Sequence, residues 1–409
     1  MNNKKLIEIN RCDNASTGTI ANDILTFSRQ QGYRVGLVVY KNNQHYDYSY
    51  SIPISNESYR INRLFSKFEG SDGFNNKIST EKMVRYLNSF APSIIHLHIL
   101  HGQYLNLPVL FNYLSECRAQ IIWTFHDCWG ITGRCAHFDA AMCDKWKTGC
   151  GHCPHKNIYP QSLCLDRSRF FYHEKEQLFT KIQDRLTIVA PSLWMKNQVS
   201  ESFLNTIDCR VINNGIFPAS LVSDAEKEEQ ISKYRLEGKK VFFSAAYPFS
   251  ENKGITFISL LADNLDPKRY AFLIAGLSEN ERGRLSKNLI LLGKVSSRHQ
   301  MDILYSLSTA FVNPTLEDTF PTVDIEALSN GTPVVTFETG GSSEIVDRQT
   351  GILVPKRDFA TLLLAVKAIE KSPSTQEQCV SRSRSFSKLK MVNSYFELFE
   401  EKGKNKDSQ

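Results

Sequence analysis

Residues 313–335, NPTLEDTFPTVDIEALSNGTPVV, decide how the rest of the chain is read. The apolar run 309–312 before them reads as a strand. Glu317, Asp318, Thr319 and Phe320 follow, and Pro321 stops a helix from starting among them. From Thr322 the spacing predicts a helix, with Val323, Ile325, Ala327 and Leu328 on or near one face; Asn330-Gly331 ends it and Pro333 prevents its return. Polar groups therefore gather at a strand end and a helix N-terminus. The first N–H groups of a helix lack intrahelical partners and its dipole favours an anion, so a phosphate-bearing ligand suits the place. The plainer reading is that Asp318, Thr319 and Thr322 only cap the helix.

A second carboxylate weighs against that plainer reading. Asp318 and Glu326 are separated by seven residues, one before the helix and one inside it, so both are expected to face a single ligand. The order Asp318, Glu326-Ala327, Gly331, Pro333, Val334, Val335 resembles the motif of the retaining glycosyltransferases of family 4: an acid, seven residues, Glu-Ala, then G-x-P-V-[VI]. In that family the first acid is usually Glu. Here it is Asp318 with Glu317 just before it, and both are candidates for the residue that meets the sugar.

Composition sets the frame around this motif. A chain of 409 residues is expected to divide into two domains, since one core seldom grows past about 250–300 residues. Apolar residues at 41% and charged residues at 22% are those of a soluble globular protein. No long apolar run follows the early lysines, and nothing approaches the roughly 18 apolar residues of a membrane span, so neither a signal peptide nor an anchor is expected. The net charge of +6 is mild, compatible with nucleotide phosphates or an anionic membrane surface as partners.

The first half opens with a short strand, residues 5–9, then a turn at Asn14, Ser16, Thr17 and Gly18, a helix over 19–28 and a strand over 35–39: a βαβ unit. The three spaced glycines of a dinucleotide fingerprint are missing, which excludes an NAD site there. Gly18 still lets the backbone approach a ligand. Residues 94–98 form a strand leading to His101; with no carboxylate in view, His96, His98 and His101 read as an acceptor-side loop rather than a metal centre. The strand 120–126 delivers His126 and Asp127 to the carboxyl edge of a parallel sheet, where open α/β sheets place ligand groups. The resemblance implies that His126 contacts the donor sugar, while Asp127 and His101 are expected on the acceptor.

The loop 128–164 holds Cys135, Cys143, Cys150 and Cys153, the last two as C-x-x-C. That spacing leaves open a structural zinc site, a reduced thiol cluster or an iron–sulfur centre. Closed four-thiolate zinc would have no position for catalysis.

Asn214-Gly215 and the charged run from Glu226 mark the domain boundary. In the second half Lys253-Gly254 lies after a strand, residues 240–246, where a helix begins, and is expected to clamp a diphosphate. Relatives carry an arginine a few residues earlier. Tyr247-Pro248-Phe249 stands there instead, leaving Arg134 as a candidate for the second positive contact. Gly340-Gly341 can bring N–H groups close to an oxyanion.

The resemblance implies an α/β protein of GT-B fold, two Rossmann-like domains facing across a cleft. Residues 1–215 would form the acceptor side, 216–388 the nucleotide-sugar side, and 389–409 a helix crossing back plus a polar tail. The implied reaction moves a hexose, with retention, from a UDP- or GDP-linked sugar to a carbohydrate or lipid-linked acceptor in cell-surface polysaccharide synthesis. Asp318, Glu317 and His126 would act at the reacting sugar; Lys253, Glu326, Gly18, Thr322, Gly340 and Gly341 would hold the donor. No D-x-D motif stands at a strand end, so no catalytic metal or other cofactor is expected, nor nucleic acid as a partner. A cytoplasmic protein peripheral to the inner membrane face would suit such a reaction. The rival reading is a catalytically inactive sugar-nucleotide-binding scaffold.

Overall fold

The computed structural model of the protein describes residues 4–371 and 374–404; residues 405–409 of the expected polar tail lie outside them. The chain divides into two compact units, Met1–Asn213 with Val392–Gln409, and Asn214–Met391.

The first unit is built on a seven-stranded sheet of β1 (Lys5–Cys12), β2 (Arg34–Lys41), β3 (Ser49–Ser51), β4 (Ile94–Leu97), β5 (Gln120–Thr124), β6 (Leu186–Ala190) and β7 (Asp208–Val211). Its order is β3-β2-β1-β4-β5-β6-β7, with every neighbouring pair parallel. The second unit carries β8 (Lys240–Ala245), β9 (Tyr270–Ala275), β10 (Leu289–Gly293), β11 (Ala310–Asn313), β12 (Val334–Phe337) and β13 (Gly351–Val354) in the order β10-β9-β8-β11-β12-β13, again parallel. Parallel sheets bury both faces, and so their strands read as unbroken apolar runs rather than alternating ones. Phe242 and Phe243 show this: adjacent on β8, they enter separate cores on opposite faces, Phe243 with Phe311 and Val334, Phe242 with Val312 and Val335.

Strand order reverses between β1 and β4 in the first unit and between β8 and β11 in the second. Loops leaving the two strands at such a reversal splay apart, opening a crevice at the carboxyl edge where ligands bind. The loops after β8 and β11 carry Lys253 and the Glu317-Asp318 pair. The helix Thr322–Ser329 begins after Pro321 and gives way at Asn330, with Gly331 left-handed at φ 75°. Ile325, Ala327 and Leu328 pack it into the core beside Phe243 and Phe311.

Two sequence expectations are corrected here. Asn14–Gly18 is not a turn: a helix runs over Ala15–Gln30, and Asn14 precedes it without a side-chain cap. The last helix spans Lys388–Lys404 and takes in the start of the expected tail.

Candidate functional site

In the second unit the loops after β8 and β11 are tied together by backbone. Leu316 N–H donates to Asn252 O at 2.8 Å, and Gly254, at φ 81°, has Pro314 O where a Cβ would stand. This brings Lys253 onto the acids: its Nζ lies 2.7 Å from Asp318 Oδ2 and donates to Glu317 O at 3.3 Å. Burial works against the ammonium charge, but Asp318 outweighs it, with Glu317 and Asp324 adding, and the net shift is upward. Asp318 Oδ1 also accepts from Phe320 N–H at 3.2 Å. Glu317 turns inward, its Oε1 accepting from Asn252 Nδ2 at 2.6 Å while Oε2 is buried with no partner. Gly340, at φ 52°, rests on this loop; any side chain there would overlap the Asp318 carbonyl oxygen.

The structure adds Asp324 to this group. It is fully buried in the first turn of the Thr322–Ser329 helix, and Asn313 Nδ2 donates to its Oδ1 at 2.8 Å. Burial pushes the carboxyl up to about 8, Asn313 opposing and Asp318 adding. It is therefore mostly neutral at pH 7. Asp324 Oδ2, Thr339 Oγ1 and Ser342 Oγ are, like Glu317 Oε2, buried without a hydrogen-bond partner among the described residues. An unpaired buried polar atom costs about 1–3 kcal/mol. Four such atoms fall within 317–342, the segment that carries the carboxylate of the Lys253–Asp318 pair at the switch point.

Glu326 belongs to a different set. Tyr305 OH donates to its Oε2 at 3.2 Å, and burial raises its carboxyl, with Arg298 and Tyr305 opposing and Asp302 adding. It shares none of these hydrogen-bond partners with Asp318. Thr322 opens the helix. Beside it, a cavity of about 190 Å³ at the ends of β8, β9 and β10 is lined by Ala246, Tyr247, Gly276, Lys294, Met301 and Val323. Lys294 Nζ lies 4.9 Å from the centre of the Tyr247 ring.

In the first unit His101 and Asp127 meet each other: His101 Nε2 lies 2.6 Å from Asp127 Oδ2, and Trp129 N–H donates to Oδ1 at 2.9 Å. Burial would raise Asp127, but the charge and hydrogen bond of His101 prevail and hold it at about 2. His126 Nε2 lies 2.8 Å from His98 Nδ1. Against expectation, a carboxylate accompanies His96 and His98: Glu8 on β1 touches both, its Oε2 2.9 Å from His96 Nδ1 and 2.5 Å from His98 Nε2. Gly18 presents no open face to a ligand: it lies in the first turn of Ala15–Gln30, and a Cβ there would meet Asp13 C at 2.5 Å.

Arg134 is committed inside the cysteine loop, donating to the carbonyls of His155, Ile158 and Pro160, and is no second phosphate contact. Gly133 N–H donates to Cys150 Sγ at 3.1 Å and Arg134 Nη2 to Cys153 Sγ at 3.5 Å. Burial, reinforced by Cys150, pushes the Cys135 thiol up to about 12, and burial pushes Cys150 to about 11. Among the described residues no three cysteine sulfurs lie within 4.8 Å of one another, so Cys135, Cys143, Cys150 and Cys153 do not form a closed ligand set. Lys175, unremarked in the sequence, is buried beneath this loop; it donates to the carbonyls of Trp129 and Thr132, and burial lowers it to about 7.

Among the described residues no helix is long and apolar enough to cross a membrane.

Residues 226–386, wholly within the second unit, match the family model described as glycosyl transferases group 1. The putative colanic acid biosynthesis glycosyl transferase WcaC of Escherichia coli (strain K12) is 26% identical over 288 residues, covering 66% of this chain and 66% of that protein, just under two thirds of its length. Sucrose-phosphate synthase from Thermosynechococcus elongatus shares the fold at a TM-score of 0.69 and 14% identity, over 97% of this chain and 98% of that one. Anabaena HepE in complex with UDP-glucose does so at 0.66 and 12%, over 97% and 99%. The chain thus has two parallel-sheet α/β domains of GT-B fold, and residues 226–386 of its second unit match the glycosyl transferases group 1 model.

Proposed function

We propose that the protein is a retaining hexosyltransferase that takes a UDP- or GDP-linked hexose and passes it to a carbohydrate acceptor, lipid-linked, in surface polysaccharide synthesis. The observation that carries this reading is the Lys253–Asp318 pair at the β8/β11 switch point, with four unpartnered buried polar atoms within 317–342. The similarity to WcaC supports a polysaccharide role, and the HepE complex supports a uridine nucleotide sugar as donor.

In this reading positive charge builds at the anomeric carbon while negative charge builds on the departing diphosphate, and catalysis consists of receiving that charge without reorganisation. Lys253 supplies the cation, and the first N–H groups of the helix beginning at Thr322 supply dipoles of the same sign. Asp318 shares Lys253 with the phosphates and holds sugar hydroxyls, and Glu317 fixes the loop through Asn252. Glu326 accepts from the ribose hydroxyls. The Gly340-Gly341 loop is assigned to the donor and is held against the Asp318 loop because Gly340 carries no side chain. On the first unit His126 is assigned to the sugar, and His101 and Asp127 to the acceptor. No step requires a metal. The four loop cysteines are of the right chemistry to hold a structural zinc, as thiolates supported by the Gly133 and Arg134 donors, but their sulfurs would have to draw closer.

Thermal-shift screening with UDP and GDP sugars, followed by measurement of nucleotide release, tests the reading. Stabilisation with release supports transfer; stabilisation without release favours the inactive scaffold.

A further inference from the structure

The helix Asn56–Glu69 of the first unit packs with the wrong side outward for a protein surrounded only by water. Its ends are well made: the Ser55 hydroxyl accepts from Ser58 N–H at 3.1 Å, and Gly70, left-handed at φ 77°, donates its N–H to Ser66 O. The side turned inward is small or polar. Ser66 is buried, Asn62 Nδ2 donates to Asn76 Oδ1 at 2.6 Å, and Tyr59 stacks on Tyr40 with ring centres 4.9 Å apart. The large apolar side chains Ile61, Leu64, Phe65 and Phe68 stand at i, i+3, i+4 and i+7 and so form one stripe. Each is at least half exposed, from 50% at Phe68 to 68% at Leu64.

The exposed apolar surface continues past the end of this helix. Leu163 N–H donates to Lys67 O at 2.6 Å and Leu165 N–H to Phe68 O at 3.0 Å, which brings two more exposed leucines to its last turn. Glu69, the acid of that turn, is held by Arg167 Nη1 at 2.6 Å, and the Arg167 guanidinium lies 4.5 Å from the centre of the exposed Phe170 ring. Contiguous apolar surface on a soluble protein marks a docking face. Charge decides the partner. Arg60, Arg63 and Lys67, at i, i+3 and i+7, edge one flank of the stripe, and none of them is in an ion pair among the described residues. An apolar stripe edged by cations fits an anionic bilayer, where leucyl and phenyl groups enter the acyl boundary and the cations meet lipid phosphates. A second copy of the chain fits poorly, because a two-fold contact between two such faces brings their cations together.

We propose that this face seats the first unit on an anionic lipid surface, with the Asn56–Glu69 helix lying along the headgroup boundary and Ile61, Leu64, Phe65 and Phe68 immersed. Its use, to meet a lipid-linked acceptor where that acceptor is held, rests on the function proposed above; the attachment itself does not.

Sedimentation of the full-length protein with lipid vesicles reads the attachment without any sugar nucleotide. With vesicles of equal parts phosphatidylcholine and phosphatidylglycerol most of the protein should pellet, and less of it at high salt; with phosphatidylcholine alone little should. Leu64→Ser combined with Phe65→Ser should weaken binding at least tenfold. Arg60→Gln, Arg63→Gln and Lys67→Gln together should do the same and remove most of the salt dependence. None of these five side chains is buried, so Tm should stay at the wild-type value, and so should kcat for UDP release from UDP-glucose measured without vesicles. If the serine pair lowers Tm, the charge variant, which removes no apolar contact, decides. Wild-type protein that ignores anionic vesicles, binds neutral ones equally, or keeps its binding through both sets of substitutions overturns the proposal. A wild-type dimer in sedimentation velocity that the serine pair dissolves assigns the stripe to a second copy and overturns it too. Vesicle binding by a protein that releases no UDP keeps the surface and refutes the transferase reading, whereas UDP release without vesicle binding does the reverse.

Discussion

Replacing Lys253 by alanine removes the cation that pairs with Asp318 in the second unit, and the structure sets the size of the effect. A charge-assisted hydrogen bond to a phosphate contributes about 1.5–3 kcal/mol. That corresponds to roughly a 12- to 150-fold weaker Kd for UDP, at about 1.4 kcal/mol per factor of ten. The lower half of that range is expected, because the Lys253 side chain is 35% exposed and water screens part of the contact. Loss of the lysine also leaves Asp318 without its ion-pair partner and adds a carboxylate facing the phosphates, which pushes the loss upward again. The two contributions separate in a double-mutant cycle. Asp318→Asn should leave UDP affinity unchanged or tighter, since it releases Lys253, and in the Asp318→Asn background Lys253→Ala should cost less than in the wild type. Calorimetric titration with UDP reads all four corners. Wild-type affinity in Lys253→Ala would remove the residue from the donor site, whatever its contact with Asp318.

The carboxylates should divide by kinetic effect: Glu326→Gln raises the donor KM and weakens UDP alone, whereas Asp318→Asn lowers kcat more than it raises KM. Loss of turnover in Glu317→Gln with a nearly normal Asp318→Asn would move the sugar contact one residue earlier. Asp324, raised to about 8 in the fold, binds its proton there over a pH range in which the unfolded chain has lost it, so stability should fall as pH rises from the ordinary carboxyl range through about 8. Asp324→Asn should abolish that slope in urea denaturation followed across pH, and an unaltered slope would show that the carboxyl is already ionised. If the cysteine loop takes zinc, elemental analysis should find about one equivalent, lost with Cys150→Ser together with thermal stability; metal-free protein of full stability would leave a reduced thiol cluster.

Local signals were read well where the chain states them twice. The helix over Thr322–Ser329 is bounded by Pro321 on one side and Asn330-Gly331 on the other, and both ends stand where the sequence puts them. The Asn14–Gly18 segment carries the residues of a turn, yet it is the helix start; Gly18 is needed because backbone, not ligand, fills the space beside it. The partners that sequence reading missed are non-local. Glu8 meets His96 across 88 positions, through a parallel pairing that no short-range pattern reveals. Its one visible trace is an acid in the apolar run LIEI. Asp324 likewise shows only as an acid among apolar helix positions, and its neutral state depends on burial that only the packed fold supplies. Arg134 read as a free cation because the carbonyls that hold it come from residues 155–160, a loop without periodicity.

The most direct test of the central claim is ¹H NMR of the protein incubated with UDP-glucose and with GDP-linked hexoses, following nucleotide release and the configuration of the first sugar product formed. The account predicts release from one of these donors and a product that keeps the anomeric configuration of the donor, with both lost in the Asp318→Asn, Glu317→Gln double variant. Inversion at the anomeric carbon, or full turnover in that double variant, would contradict it.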